Sequence, residues 1–447
     1  MRQAAGKSVA GRWSRFAAPE ERTTSTVAKI LFLNIPASGH VNPTLAVARE
    51  LIGRGDRVCY ALPESWRETI ENAGAEFAPL AETLRSARSG HGQNLSHDAR
   101  IALMPYAMAR EAPRIAPELE RLVQAEKPDC IVFNELDLPA KLAVRLTGVP
   151  AAAFRTFHGR VARARDAGWA TGPVANYMTA ADQTFASFLG ARGLAAQTVA
   201  EFCSQVHDPT IVFVAEAFQV DRASFDQRFV FVGPSLAAAP PLPSDIPVRP
   251  QARRVLISLG TLRNDEPEFY RLCFDAFGAE NWQAFLSIGK TVDPVVLGAP
   301  PENFVVRPHL PQTSLLQVVD VFVTHAGLNS VMESLYYGAP MIMVPGTREQ
   351  KLTAERAEQL GLGFRADLHD LSANALRDLA SRAVDDVSIP PAIAEIRKSM
   401  QATVGYARAA DVIQRVAGIR QLPGLRPARR QSIHASERQT CRSWPAR

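Results

Sequence analysis

Short runs of apolar residues alternate with segments of helical periodicity from residue 28 onward. In the first half of the chain the apolar runs predict buried strands at residues 29–35, 57–62, 129–133, 149–154 and 229–232. Helical patterns are found at residues 44–52, 65–72 and 138–147, and a small-residue loop is expected at 36–43. Strands that alternate with helices in this way predict a parallel sheet covered by helices on both faces.

A second series of the same kind follows a proline-rich segment. Residues 237–250 contain five prolines, which predict a stiff, extended linker and a domain boundary. Strands are then predicted at residues 255–259, 283–288, 304–307, 321–324 and 341–344, and one or two closing helices over 392–417.

The pattern therefore predicts an α/β fold of two Rossmann-like domains with a cleft between them. The predicted domains are residues 28–236 and 254–400, joined by the linker 237–253 and closed by a helix within 401–419. Ligands of such sheets bind beyond the carboxyl ends of the strands, so we expect a site in the cleft.

The positive charge of the chain is concentrated at its two ends. The formal net charge is +5, but residues 1–27 carry +3 and residues 420–447 carry +6, which leaves about −4 for the body between them. Both ends lack apolar periodicity and are expected to be disordered extensions. A basic surface on the folded domains is not expected, and nucleic acid is not a predicted partner.

Several classes of protein are disfavoured by missing patterns. The five cysteines are scattered without a CxxC pair, which argues against a disulfide framework or a zinc site and favours a cytoplasmic location. No apolar run approaches the ~18 residues needed to cross a bilayer, so stable membrane insertion is not expected. Neither GxGxxG after a strand nor a P-loop motif occurs, which disfavours nicotinamide dehydrogenases and P-loop ATPases.

The segment from residue 309 to 350 carries the strongest indication of chemistry. An apolar strand leads through His325 and Gly327 into a helix that is predicted to begin at residues 328–330. A helix N-terminus presents unpaired N–H groups and the positive end of its dipole, and both favour a phosphate group. Glu333, on the same helix, can accept a pair of ribose hydroxyls.

The end of this segment can bind a sugar. Glu349 can accept from vicinal sugar hydroxyls, and the neighbouring Gln350 can donate to them. Taken singly, each of these features is more often a plain connection, a solvated helix residue or a cap. Their order and combination predict a site for a nucleotide sugar.

This segment resembles the donor-binding signature of the UDP-glycosyltransferase superfamily, whose members have the GT-B fold, and is most similar to that of the bacterial macrolide-type glycosyltransferases. The resemblance extends from residue 28 to about 418 and includes ASGHVNPTLAVARELIGRGDRV near the start and VLISLGT at the opening of the second domain. The match runs without a gap through His309, Leu310, Pro311, Gln312, His325, Gly327, Asn329, Ser330, Glu333, Pro345, Glu349 and Gln350.

The resemblance implies where the diphosphate of the donor binds. His325 and the amides near Gly327, Asn329 and Ser330 would hold it, and Thr261 would lie close to the same phosphates. The resemblance also implies that no metal or other cofactor is needed, because the helix dipole and His325 offset the charge of the leaving group.

It further implies contacts to the rest of the donor. Glu333 would hold the ribose, and Glu349 with Gln350 would hold the transferred sugar, for which glucose is the default. His309 stands where the family usually has an aromatic ring stacked on uracil, and its imidazole offers a smaller face. Leu310 and Gln312 are the other implied donor-binding residues.

The catalytic base implied by the resemblance is His40, in the GHVNP stretch. It would take the proton of the acceptor hydroxyl while the nucleotide diphosphate leaves from the opposite face, so the anomeric configuration inverts. The family normally orients this histidine with a carboxylate, but Asn134 occupies that position here. Asparagine can accept from the imidazole N–H, yet it cannot offset the charge of an imidazolium.

Two explanations of Asn134 remain open. Asp137 could take over the missing role, whereas Glu135 is expected on the opposite face of the strand. Alternatively, the acceptor is unusually acidic, a phenol or a carboxylic acid, and needs less help. Asn134→Asp should raise the rate on a poor nucleophile if the missing carboxylate matters.

The predicted function is transfer of a hexose from a UDP-sugar to a small hydrophobic acceptor such as a polyketide, a flavonoid or another phenol. A catalytically weak sugar-nucleotide-binding partner of another enzyme and an epimerase of the donor are the alternatives. The acceptor pocket is expected within residues 81–110 and 155–185, where a core role is equally plausible for most apolar side chains. These side chains are Leu95, Met104, Tyr106, Met108, Phe157, Trp169 and Tyr177.

Overall fold

The computed structural model describes residues 27–80, 97–158, 172–260, 264–279 and 281–418. The extensions predicted at the two ends lie outside the described residues, apart from Val27, and so does Thr261. In the described ranges no helix is long and apolar enough to cross a membrane.

The first half of the chain forms a parallel sheet of the doubly wound kind. Its described strands, all paired in parallel, lie in the order β3-β2-β1-β4-β5-β6-β7. These strands are β1 (Lys29–Leu33), β2 (Arg57–Leu62), β3 (Glu76–Pro79), β4 (Cys130–Asn134), β5 (Ala151–Arg155), β6 (Thr210–Val212) and β7 (Phe229–Phe231). The helices are α1 (Ser38–Gly53), α2 (Arg67–Glu71), α3 (His97–Glu126), α4 (Leu138–Thr147), α5 (Gly172–Ala191) and α6 (Val199–Ser204), with short 3-10 turns at Glu64–Trp66, Glu216–Phe218 and Arg222–Ser224.

The second half repeats this arrangement. Its strands also pair in parallel, in the order β10-β9-β8-β11-β12-β13. They are β8 (Arg253–Ser258), β9 (Trp282–Ser287), β10 (Phe304–Arg307), β11 (Val321–Thr324), β12 (Met341–Met343) and β13 (Gly363–Arg365). The helices are α7 (Pro267–Phe277), α8 (Pro294–Leu297), α9 (Gln312–Leu315), α10 (Leu328–Tyr337), α11 (Arg348–Gln359), α12 (Ala373–Asp385), α13 (Ile389–Thr403) and α14 (Gly405–Val416).

The strands are apolar on both faces because helices cover both. In β1, Ile30 and Phe32 pack in one buried cluster with residues of α1 and α14, whereas Leu31 and Leu33 pack in another with residues of α3 and α4. This confirms the predicted pair of parallel, doubly covered sheets.

Each sheet has a point where the strand order reverses, and these two points position the site. In the first sheet it lies between β1 and β4, and in the second between β8 and β11. The loops that leave neighbouring strands at such a point diverge to opposite faces, which opens a crevice at the carboxyl ends of the strands.

Two local predictions were wrong. The small-residue loop expected at 36–43 is mostly helix, because α1 begins at Ser38 and Pro43 lies inside it. The strands β3, β6 and β13 were missed because they are only three or four residues long, too short for a clear alternation.

The segments that join the domains are docked on them. Within the proline-rich linker Ile246 is buried, and the Gln283 side chain accepts from Arg249 N at 2.7 Å and donates to Pro247 O at 2.8 Å. At the other end of the chain α14 returns to the first domain, where Gln414 Nε2 donates to Asp56 Oδ2 at 2.7 Å. The first domain is therefore completed by α14.

Candidate active site

The turn between β11 and α10 forms one wall of the cleft. Ala326 has a positive φ of 61°, and Gly327 is the N-cap of α10 with no side chain capping the helix. The first N–H groups of α10 are therefore free of a side-chain cap, and the positive end of the helix dipole faces the cleft. The helix begins where the sequence predicted it.

His325 is held between two glycines. A Cβ atom on Gly327 would lie 2.4 Å from His325 Nε2, and one on Gly260 would lie 2.5 Å from His325 Cε1. Glycine is therefore required at both positions for the imidazole to stay where it is. Burial lowers the pKa of His325 to about 4, although a hydrogen bond to the backbone of Ser258 acts in the opposite direction. The ring is neutral near pH 7 and carries a single N–H.

Glu333, two turns into α10, is held by a glutamine. Gln312 Nε2 donates to Glu333 Oε2 at 2.7 Å and to Ser330 Oγ at 3.2 Å. Burial raises the pKa of Glu333 to about 7, although the contact with Gln312 lowers it. In the described structure Gln312 is thus a residue that orients Glu333.

The two residues predicted to hold the sugar, Glu349 and Gln350, differ in how far their side chains are already hydrogen-bonded within the protein. Gln350 Oε1 accepts from Gly346 N at 2.8 Å and from Thr347 N at 3.1 Å, because Thr347 and Gln350 form a capping box at the start of α11. Its oxygen is committed to the helix, which leaves the NH₂ group of Gln350 for a sugar. Glu349 is exposed on the first turn of the same helix.

The two residues predicted to bind the donor after β10 differ in exposure. His309 is exposed, whereas Leu310 is only 2% exposed and packs with Leu315, Leu316 and Phe322 in the core. The Leu310 side chain therefore has a core role, whereas the predicted contact of Leu310 with a donor stays a prediction.

His40 lies in the first turn of α1, next to the strand-order reversal of the first sheet. Its Nδ1 is 2.8 Å from Asn134 Nδ2 and 3.3 Å from Thr156 Oγ1, and Asn34 Nδ2 donates to its carbonyl oxygen at 3.1 Å. Burial lowers the pKa of His40 to about 4. The predicted pairing of His40 with Asn134 is present.

The direction of that pairing is the reverse of the expected one. Asn134 Oδ1 accepts from the backbone N–H of Leu136 at 3.0 Å, so the NH₂ group of Asn134 faces His40. The asparagine therefore donates to the imidazole, whereas the sequence led us to expect that it accepts.

The two nearby carboxylates are engaged elsewhere. Asp137 is the N-cap of α4 and accepts from Ala140 N at 3.1 Å, and burial raises its pKa to about 6. Glu135 forms a buried ion pair with Arg155, with Oε1 to Nη2 at 2.7 Å. The suggestion that Asp137 replaces the missing carboxylate is not supported by any described contact with His40, and Glu135 faces away as predicted.

A hydrogen bond between described residues joins the two walls of the cleft beside His40. Asn329 Nδ2, in the first turn of α10, donates to Gly39 O at 3.0 Å. Gly39 O is available because Pro43, four residues later in α1, has no N–H to donate to it. The N-terminus of α10 is therefore fixed next to His40.

Comparisons with known proteins agree with this geometry. A family model described as UDP-glucoronosyl and UDP-glucosyl transferase matches residues 197–390. The NDP-glycosyltransferase YjiC of Bacillus subtilis is 32% identical, over 86% of this chain and 96% of its own. The oleandomycin glycosyltransferase of Streptomyces antibioticus is 30% identical, over 88% and 91% respectively.

The chain belongs to the UDP-glycosyltransferase superfamily. It has the GT-B fold, since the crystal structure of the glycotransferase of kitacinnamycin superposes with a TM-score of 0.73 at 26% identity, covering 87% of this chain and 98% of that one. The protein is thus a glycosyltransferase of the bacterial macrolide type that uses a nucleotide-sugar donor.

Several residues named for the acceptor pocket of this glycosyltransferase belong to its core. Tyr106 and Met108 are each 3% exposed and pack with residues of α4, α5 and α6. Phe157 is buried too, and Tyr177 lies under the Arg110 guanidinium at 5.0 Å. Leu95 and Trp169 lie outside the described residues.

Sequence reasoning missed the residues that position the glycosyltransferase's histidines. Thr156 and Asn34 contact His40, and Gly260 confines His325. Gly260 lies in the VLISLGT stretch, but the sequence analysis gave a role there to Thr261 alone, and it gave none to Thr156 or Asn34. The available signal was their position at the carboxyl edge of a sheet, because Asn34 and Thr156 directly follow β1 and β5, and Gly260 comes two residues after β8.

Proposed function

We propose that this glycosyltransferase moves a hexose, with glucose as the expected sugar, from a UDP donor to a small hydrophobic acceptor with inversion. The observation that carries the proposal is the hydrogen bond between Asn329 and Gly39. It brings the start of α10, which suits a diphosphate, next to His40, which suits an acceptor oxygen. A donor and an acceptor bound on these two walls would meet between them.

The donor would lie along the second domain. The free N–H groups of α10 and the neutral His325 would hold the diphosphate, and they would also stabilise the charge that develops when it leaves. We therefore propose that the reaction requires no metal. Glu333 would accept the ribose hydroxyls, Glu349 with the NH₂ group of Gln350 would hold the hexose, and the exposed His309 would stack on the base.

The acceptor would approach from the first domain, with its hydroxyl beside His40. Attack from that side, opposite the leaving diphosphate, inverts the anomeric carbon in a single displacement. Relatives named for oleandomycin and demethyllactenocin support an acceptor of the macrolide or polyketide kind. A phenol or a flavonoid fits the same proposal.

The test is nucleotide release by the purified protein. UDP-glucose would be supplied with a panel of phenols, flavonoids and macrolides, and the product's anomeric configuration read by its proton coupling. We expect UDP release that depends on the acceptor, a β-linked product, and a large loss of rate in His40→Ala.

Two outcomes would contradict the proposal. Donor binding without release across a broad panel of donors and acceptors would indicate a non-catalytic partner of another enzyme. Conversion of the donor sugar without any acceptor would indicate an epimerase.

A further inference from the structure

The amide of Asn134 can adopt only one orientation. Its Oδ1 accepts from the backbone N–H of Leu136 at 3.0 Å, and that N–H can only donate. Turning the amide around would place its NH₂ group against the Leu136 N–H, so that two donors would face each other. The NH₂ group must therefore face His40.

This orientation decides where the imidazole carries its proton. Asn134 Nδ2 lies 2.8 Å from His40 Nδ1, a contact that stabilises the ring only when Nδ1 accepts. A neutral imidazole whose Nδ1 accepts has its hydrogen on Nε2. Thr156 Oγ1, at 3.3 Å from the same nitrogen, can donate as well and is compatible with this tautomer.

An imidazolium is disfavoured in the same surroundings. It would present an N–H at Nδ1 to the NH₂ group of Asn134, again two donors at 2.8 Å. Among the residues that the structure describes, the polar side chains that hydrogen-bond the first turn of α1 from neighbouring elements are Asn34, Asn134, Thr156 and Asn329, all of them uncharged. None can offset a positive charge on His40.

We infer that His40 donates a hydrogen bond from Nε2 instead of accepting a proton there, and that the acceptor is a compound whose hydroxyl ionises unaided, a phenol or a carboxylic acid. The inference rests on the proposed function and specifies its substrate class. Asn134 is the positioning residue that sets this behaviour.

Every proton and electron pair of the transfer is accounted for without a base from the protein. The acceptor hydroxyl loses its proton to water, and His40 Nε2–H hydrogen-bonds the resulting oxygen anion. That oxygen forms a bond to the anomeric carbon as the bond between this carbon and the phosphate oxygen breaks. The electron pair leaves with the nucleoside diphosphate at the N-terminus of α10.

The first experiment reads the tautomer without any turnover. Protein labelled with ¹⁵N-histidine would be examined between pH 6 and 8 by long-range ¹H–¹⁵N correlation, with His40 assigned by His40→Gln. We expect the hydrogen on Nε2 in the wild type and on Nδ1 in Asn134→Asp, whose carboxylate can accept from both Leu136 N–H and the imidazole. A hydrogen on Nδ1 in the wild type would overturn the inference.

The second experiment compares acceptors of different acidity with UDP-glucose. For the wild type we expect kcat/KM to rise from benzyl alcohol through phenol to 4-nitrophenol, by at least about 100-fold in all. It should also rise with pH up to the pKa of each phenol. Equal rates on benzyl alcohol and 4-nitrophenol would overturn the inference while leaving the proposed function intact, whereas no release from any acceptor would contradict the proposed function itself.

Two variants of Asn134 distinguish its effect on the proton of His40 from a merely structural role. Asn134→Asp should raise kcat/KM on benzyl alcohol by at least about tenfold and add a limb to its pH profile that follows the histidine. Asn134→Ala, the matched control, removes the same donor without adding a carboxylate and should give no such gain. Absence of a gain in Asn134→Asp would contradict the inference.

Discussion

The two walls of the cleft have the same topology and different chemistry. His325 follows β11 and His40 follows β1, each at the reversal of strand order in its sheet, and burial lowers the pKa of both to about 4. His325 is confined by the backbone of two glycines beside a helix N-terminus, whereas His40 is surrounded by neutral side chains that include a donating amide. The comparison teaches that the fold places a histidine at the carboxyl edge, while the neighbours of its ring decide which proton it carries.

The largest effect is expected from closing the space beside His325. In Gly327→Ala the new Cβ would lie 2.4 Å from His325 Nε2, so the imidazole must shift away from its position beside the start of α10. We expect UDP to bind at least about tenfold more weakly, measured by calorimetry, with little change in melting temperature.

Gly190→Ala is the matched control. Gly190 lies in α5 with nothing within 4 Å of its would-be Cβ, so UDP affinity should not change. Unaltered affinity in Gly327→Ala as well would show that the position of His325 does not matter for the donor.

An intermediate effect is expected at Glu333. Burial raises its pKa from 4.5 to about 7, so its contribution to stability is present in full below about pH 4.5 and is lost as the pH rises through about 7. Ribose hydroxyls donate to the ionised carboxylate, so UDP affinity should increase from pH 6 to 8. In Glu333→Gln, UDP should bind more weakly, and its affinity should vary less with pH than in the wild type, because the ionisation of Glu333 is removed and that of the terminal phosphate remains. The melting temperature should also fall less between pH 5 and 8. The same pH dependence of the affinity in the wild type and in Glu333→Gln would contradict the assignment.

The smallest effect is expected from the contact between the walls. Asn329→Ala removes a hydrogen bond to Gly39 O, and we expect a two- to tenfold loss of kcat/KM, roughly what one hydrogen bond contributes. Pro43→Ala supplies Gly39 O with a helical N–H and should make the loss smaller in the double variant. Additive effects of Asn329→Ala and Pro43→Ala would show that Pro43 does not keep Gly39 O available for Asn329. Asn42→Ala, at an exposed position of α1, serves as the control.

The sequence alone predicted the features that follow from the order of strands and helices along the chain. The alternation of apolar runs and helices predicted both sheets, and the turn through His325 and Gly327 into α10 begins where expected. The pairing of His40 with Asn134 was also predictable, because the carboxyl ends of β1 and β4 are neighbours.

The sequence did not predict which side-chain atoms donate and which accept in the hydrogen bonds of the site. Asn134 donates because a backbone N–H, that of Leu136, takes its oxygen, and Gln350 loses its oxygen to a helix cap in the same way. Thr156, which is 116 positions from His40, meets it only through the folded sheet. Backbone groups compete for side chains, and residue identity alone does not show which partner is favoured.

The most direct test of the division between the two walls is calorimetric titration of UDP into the wild type, His40→Ala and Gly327→Ala. We predict that His40→Ala binds UDP as the wild type does, within about twofold, and that Gly327→Ala binds at least about tenfold more weakly. Equal weakening in both variants, or no binding of UDP to the wild type, would contradict the account.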